Sequence, residues 1–362
     1  MAKQFRKLDQ LMLSLGDKEA SYDAGPAAWT AGSAVQLFAF GDAYVEWDDQ
    51  IVSDRDTIHG SQFATISEII RQDARLAYAE PLVRPTHLGG LAALAGGVVA
   101  VAQDGVLVAY RHKVTPVAAD VALPSIGMIE KASGEQYKYG GLCLESFRLT
   151  RGGPNNAYHS IEAGLVGSGT RAADATAFVT KGGESALTWG KTKCWLETGT
   201  NIAIAATPAQ GAENISDDTP DNLSARLLNY EFRHTNALQL EDGYFPGSGK
   251  VRGRLDHGGA RGAHISLTLI VNPATLATER AYYENRDAVA IEINQDSGVI
   301  IASTGVFKFG FILIIPKLHL EKPTRGTQED FNIITLEGDA MDDGTNPLWQ
   351  LYTYNAYAAY LA

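Results

Sequence analysis

Along the 362-residue chain, apolar positions recur mostly in the every-second-residue rhythm of strands, interrupted by a few stretches that fit short helices. His264–Leu269 alternates polar and apolar, as a half-buried strand does. Val289, Ile291 and Ile293 alternate again. Between these strands Asn272 offers a helix N-cap and Pro273 the first helical position, where a missing N–H costs nothing. The spacing predicts a helix from Ala274 to about Asp287, giving a strand–helix–strand unit. Further strands are expected over Gly298–Ser303, Lys308–Leu320, Phe331–Glu337 and Leu348–Tyr354. In Lys308–Leu320, Phe309, Phe311, Leu313 and Ile315 share one face, while Ile312 and Ile314 take the other. A strand apolar on both faces is covered on both, by its own fold or by a neighbouring subunit. Ile312 and Ile314 are therefore candidate inter-subunit contacts.

The pattern is weaker towards the N-terminus. Val35–Phe40, Ala43–Trp47, Val106–His112 and Gly141–Thr150 read as strands, with Pro81, Pro85, Pro116 and Pro124 marking breaks. Leu88–Leu94 fits one or two helical turns, against the helix-weakening Gly89, Gly90, Gly96 and Gly97. Residues 1–35 read as a polar, poorly patterned arm suited to bridging neighbouring rings of an assembly, with Leu8, Leu11, Met12 and Leu15 on one face of a short helix. Residues 199–225 are polar, lack periodicity and read as a long exposed loop. No short-period repeat or low-complexity tract is visible. The expected fold class is mainly β, a β-sandwich or partial barrel with a flanking α-helix. Its one domain spans residues 36–362, behind the N-terminal arm.

Charge narrows the function. Forty-two carboxylates against 30 Lys and Arg give a formal net charge of −12, which argues against a protein that grips DNA by neutralising phosphates. Two cysteines, Cys143 and Cys194, make neither a disulfide framework nor a four-cysteine zinc site. The longest weakly polar run, Leu88–Ala102, falls short of the roughly 20 residues that span a bilayer. No membrane association, export signal or cofactor is expected.

Catalytic motifs are imitated without being completed. Gly190-Lys191-Thr192 lacks the glycine five residues earlier that a phosphate loop needs, since Ser185 stands there. Gly247–Gly253 misses the dinucleotide fingerprint by one position. As a basic, glycine-rich loop in an acidic chain, this region makes Lys250, Arg252, Arg254 and Arg261 candidates for docking on an acidic neighbour. The eight histidines show no i, i+4 pairing for zinc. No Gly-x-Ser-x-Gly elbow is present, and no catalytic residue is assigned.

The order of features carries a resemblance. Leu123–Glu130, then Tyr139–Leu149 with its aromatic–glycine turn, is similar to the middle of siphophage tail tube (major tail) proteins. The Arg226–Asn236 strand, the Ile265–Glu292 unit, Phe311–Leu320 ending in Ile315-Pro316-Lys317, and Asn346–Ala356 follow in the same order. The likeness is one of pattern over about residues 80–356. It implies a structural virion protein whose six subunits, or a pseudo-sixfold equivalent, form rings. The rings stack into a tail tube, joined by other tail proteins, that conducts DNA to the host cell without binding it. The expected locations are the virion tail and, during assembly, the host cytoplasm. Two other readings stand beside it. One is a capsid decoration or carbohydrate-binding β-sandwich using Trp29, Trp47, Trp189, Trp195 or Trp349. The other is an enzyme gathering acids such as Asp48, Asp54 or Glu68.

Overall fold

The structure is a computed structural model. It describes residues 4–7, 10–23, 35–37, 44–53, 67–116, 121–132, 134–152, 154–177, 184–199, 202–216, 220–240, 244, 252, 255–257, 261–328 and 330–361. Two antiparallel sheets face each other across a shared core, so the mainly β sandwich expected from the alternation is what forms.

With strands numbered in chain order, the larger sheet runs β1 (Gln4–Lys7), β4 (Tyr44–Ser53), β5 (Ser67–Glu80), β10 (Tyr158–Gly167), β9 (Glu135–Gly152), β16 (Leu227–Thr235), β19 (Gly262–Ile270), β23 (Phe331–Asp339) and β22 (Thr324–Gln328). The far end of β9 also pairs with β8 (Ile126–Ala132) and β11 (Arg171–Ala173), and β8 carries β2 (Gln10–Leu13) and then β3 (Val35–Leu37). The smaller sheet runs β15 (Asp221–Asn222), β12 (Thr192–Thr198), β20 (Ala288–Ile300), β21 (Lys308–His319), β24 (Gln350–Asn355), β7 (Tyr110–Val114) and β6 (Val98–Gln103). Two short hairpins, β13 (Ala203–Ile204) with β14 (Ile215–Ser216) and β17 (Leu238–Gln239) with β18 (Asp256–His257), complete the strands among the described residues.

Alternation decides which side chains enter the core. In β19, Ala263, Ile265, Leu267 and Leu269 are buried while the residues between them are not. They meet Ile291, Ile293, Phe311 and Leu313 of the smaller sheet. Helix α1 (Pro85–Ala95) lies inside this layer with all eleven residues buried. Its glycines are a packing requirement: a Cβ on Gly89 would come 2.7 Å from the Tyr360 hydroxyl, and one on Gly90 would collide with Leu15. Helix α2 (Leu276–Glu284) flanks the sandwich, and Glu279 is its only buried residue. Asn272 caps its approach, accepting the Ala274 N–H at Oδ1, 3.0 Å, and the Leu276 N–H at its carbonyl, 3.1 Å. Regular helix then begins two residues later than the sequence predicts.

Two expectations are corrected. Residues 10–13 are strand instead of helix, because Leu11, Met12 and Leu13 are all buried and pair with Glu130, Ile129 and Met128 of β8. This part of the expected arm is thus built into the sandwich; residues 1–3, 8–9, 24–34 and 38–43 lie outside the described residues. The polar stretch after residue 199 folds back through β13 and β14 onto the outer face of the smaller sheet. There the Asn214 N–H donates to the Glu292 carboxylate at 2.8 Å and its side-chain amide donates to the same group at 2.6 Å.

The topology repeats itself. A first unit runs β4–β5 in the larger sheet, α1, β6–β7 in the smaller, β9–β10 in the larger and β12 in the smaller. A second unit runs β16–β19, α2, β20–β21, β22–β23 and β24 in the same alternation of sheets. In the larger sheet the two stand side by side as β4-β5-β10-β9 and β16-β19-β23-β22. In the smaller sheet they interlock: β20, β21 and β24 of the second unit are flanked by β12 on one side and β7 on the other, both from the first.

Candidate functional site: the polar face of the larger sheet

The same alternation that fills the core lays a polar surface on the outside of the larger sheet. Cross-strand register places Ala79, Glu162, Arg148, Arg233, His264 and Asp339 in one row across β5, β10, β9, β16, β19 and β23. The next row includes Thr150, Glu231, Ser266 and Glu337. Alanine, glycine, serine and threonine fill positions between the charges, so Ala77, Ala79, Gly164, Ser146 and Thr235 floor a shallow open depression of about 560 Å³.

The central arginines are locked. Arg148 Nη1 reaches both Glu162 carboxylate oxygens at 3.0 Å, and its other terminal nitrogen pairs with Glu231. Arg233 closes on the second oxygen of Glu231. Burial works to raise the Glu231 carboxyl, but the hydrogen bonds and charges of Arg148 and Arg233 outweigh it and hold it below the usual range. His264 Nδ1 lies 3.0 Å from Asp339. Four carboxylates (Glu162, Glu231, Glu337, Asp339) thus stand against two guanidiniums (Arg148, Arg233). Such a face presents hydrogen-bonding groups and mild negative charge, with both cations already engaged by carboxylates.

A second surface lies at the hairpin tips of the smaller sheet. The β6–β7 and β20–β21 tips occupy equivalent places in the two units and are tied together: Asp104 Oδ2 accepts the N–H groups of Val306, 2.6 Å, and Phe307, 3.1 Å. Six of the nine large apolar side chains exposed among the described residues lie on or beside these tips: Val101, Val106, Val108, Val299, Ile300 and Val306.

The contacts expected from sequence are distributed differently. Ile312 and Ile314 are fully buried beneath Ile202 and Ile215 of the folded-back loop, so they are core of this chain and not a contact surface. Arg252 is turned inward at 1% exposure. It pairs with Asp73 at 2.6 Å and donates to the carbonyls of Gly167, 2.8 Å, and Leu240, 3.1 Å. It is tied to β5 and β10 and is not a docking cation. Arg261 is half-buried and donates to the Val121 carbonyl at 3.3 Å. Lys250 and Arg254 lie outside the described residues. The residues of the polar face were missed because they emerge only from strand register; the trace in sequence is the alternating Arg148 and Arg233 of Phe147-Arg148-Leu149 and Phe232-Arg233-His234.

The other motifs have structural employment. Lys191 donates to the Ser297 carbonyl at 2.7 Å, with no helix behind it beyond a single 3-10 turn. Buried His112, His159 and His234 hydrogen-bond to Tyr357, Tyr230 and Asn236. Trp195 and Trp349 are buried, and Trp189 stacks on Tyr230 beneath the Arg151 guanidinium. The side chains of Trp47, Asp48 and Glu68 lie outside the described residues, as do Trp29 and Asp54 altogether. Among the described residues no group of three or more His, Cys, Asp or Glu is placed to hold a metal ion, and no helix is long and apolar enough to cross a membrane. No family model matches the chain, and no curated protein matches it.

Proposed function

We propose that this chain is a tube subunit of the phage-tail kind its sequence resembles. Its copies join into rings, the rings stack into a hollow tube together with other tail proteins, and DNA passes through without being held. The role is structural, without catalytic turnover. The observation that carries the reading is the broad polar sheet face whose central arginines are occupied by Glu162 and Glu231. A wall of this kind repels phosphate mildly, and its central guanidiniums are each paired with a carboxylate, Arg148 through both terminal nitrogens and Arg233 through Nε, so DNA slides past. The exposed valines of the paired hairpin tips suit ring-to-ring contacts. The resembled family builds rings from six units; with two topologically equivalent units per chain, three chains complete such a ring.

Negative-stain electron microscopy of the purified chain across a concentration series tests the reading. Rings or hollow tubes are the expected outcome. Uniform compact particles at every concentration, with and without tail-assembly partners, would count against it.

A further inference from the structure

We infer that the open half of the smaller sheet's outer face is a docking surface for an extended acidic segment of a partner protein, held by Arg111 and Lys113. The placement of this surface on the outside of a tube rests on the tube reading; the surface itself does not.

Register sets the surface up. Lys113 and Arg111 of β7 stand opposite Tyr352 and Tyr354 of β24 on one side, and opposite Ala100 and Ala102 of β6 on the other. Alternation turns all six outwards: Tyr352 and Tyr354 pack with Ile312 and Ile314 on the outer face, while Val114 and Leu351 enter the shared core. The folded-back loop seats Ile202 and Ile215 over the middle of this face, and its Pro208 carbonyl takes the Tyr354 hydroxyl at 2.9 Å. On the β7 and β6 side the face is open, with Ala100 exposed and Ala102, Arg111 and Lys113 half-buried.

Charge supplies the chemistry. Two residues apart on one strand, the cations stand roughly 7 Å from each other. Among the described residues neither has a carboxylate at ion-pair distance. The acids of this face are engaged elsewhere: Glu292 with Asn214 and Asn294, and Asp296 with Lys308 at 2.7 Å. Both lie on β20, three strands and roughly 14 Å from β7. Asp104, on the neighbouring hairpin tip, holds the Val306 and Phe307 amides. Burial and the Arg111 charge keep the Lys113 ammonium below the usual lysine range, so the pair carries a repulsion that an incoming carboxylate relieves. An extended segment fits because its alternate side chains share one face at the same repeat as the two cations. The Tyr352 ring, 5.6 Å from the Lys113 ammonium, adds a flat apolar floor. In the tube reading DNA runs along the polar face, on the opposite side of the sandwich, so this surface points outwards and meets protein.

Fluorescence anisotropy with a labelled peptide of alternating acids, Asp-Thr-Asp-Thr-Asp, tests the surface on the unassembled chain. The peptide should bind at roughly 0.05 M salt and release as salt rises. Arg111→Gln combined with Lys113→Gln should weaken binding at least roughly tenfold. Lys322→Gln combined with Arg325→Gln, which neutralises two exposed cations at and beside β22, should leave it unchanged. No binding, equal weakening by both pairs, or capture of a short DNA duplex with the same dependence on Arg111 and Lys113 would overturn the inference. Assembled tubes should bind the peptide as the free chain does; loss of binding on assembly would put the surface between copies and overturn its outward place. A chain that forms no tubes but binds the peptide through these two cations keeps the surface and removes the tube.

Discussion

Glu80, fully buried at the end of β5, takes the Tyr78 hydroxyl and His87 Nδ1 at 2.7 Å each, with Arg84 at 3.4 Å. Glu80→Ala leaves those polar groups without their carboxylate and should cost about 3 kcal/mol or more in urea unfolding, with the m-value unchanged. His112 reports on pH. Burial pushes it down to about 4, so it stays neutral in the fold, its ring bonded to the Tyr357 carbonyl at 2.7 Å. Unfolded, it binds a proton near pH 6.5. The unfolded state therefore takes up more protons between these values, and the contribution present above pH 6.5 is lost as pH falls towards 4. Between pH 7 and 5 this amounts to something on the order of 2 kcal/mol. His112→Gln, which keeps a donor for Tyr357, should flatten that part of the stability profile relative to the parent; an unchanged slope would reassign it to other groups.

Elements show where local signals suffice and where they fail. β19, β21 and β23 were legible because alternation, β-branching and burial agree in them. β5 was not: Ser67–Glu80 is rich in alanine, glutamate and arginine, and its strand state comes from β4 and β10 on either side. Val106–His112 was expected as a strand, yet the strand starts at Tyr110 and Val106 stands 93% exposed on the tip. The doubled topology left almost no trace, since equivalent strands share places without sharing residues; its echo is one shared spacing, Pro85 with Leu88 inside α1 and Pro273 with Leu276 at the approach to α2. Two element-level outcomes follow. Gly90→Ala gains helix propensity but drives a methyl into Leu15, so the net effect should be a loss of roughly 1–3 kcal/mol on thermal or urea unfolding. Asn214→Ala removes one hydrogen bond to buried Glu292, the side-chain amide's, together with that amide's bonds to Ala209 and Ala212 beneath the folded-back loop. The variant should lose about 2 kcal/mol and bind more of an apolar-surface dye, as Ile312, Ile314 and Tyr352 lose their cover.

At the scale of the whole molecule, charge and shape make one prediction together. If the polar face is the wall along which DNA runs, its carboxylates keep DNA moving. Replacing Glu162, Glu231 and Glu337 by lysine turns three negative charges into three positive ones and releases Arg148 and Arg233 from their pairs. Assembled tubes of the parent should retain no duplex DNA at roughly 0.15 M salt, while the triple variant should retain it with a steep salt dependence. Equal retention by both would place the DNA path elsewhere. The sandwich itself was readable in the sequence, but this face was not, because it exists only once strands from distant segments fall into register.

The interlocked smaller sheet has a further consequence. Because β12 stands against β20, and β24 against β7, neither half of the chain holds a complete sandwich of its own. Heating should accordingly give a single calorimetric transition in place of two. Cutting the chain at the exposed residues 205–207 should yield fragments that stay together until denatured, each serving as the missing half of the other's core.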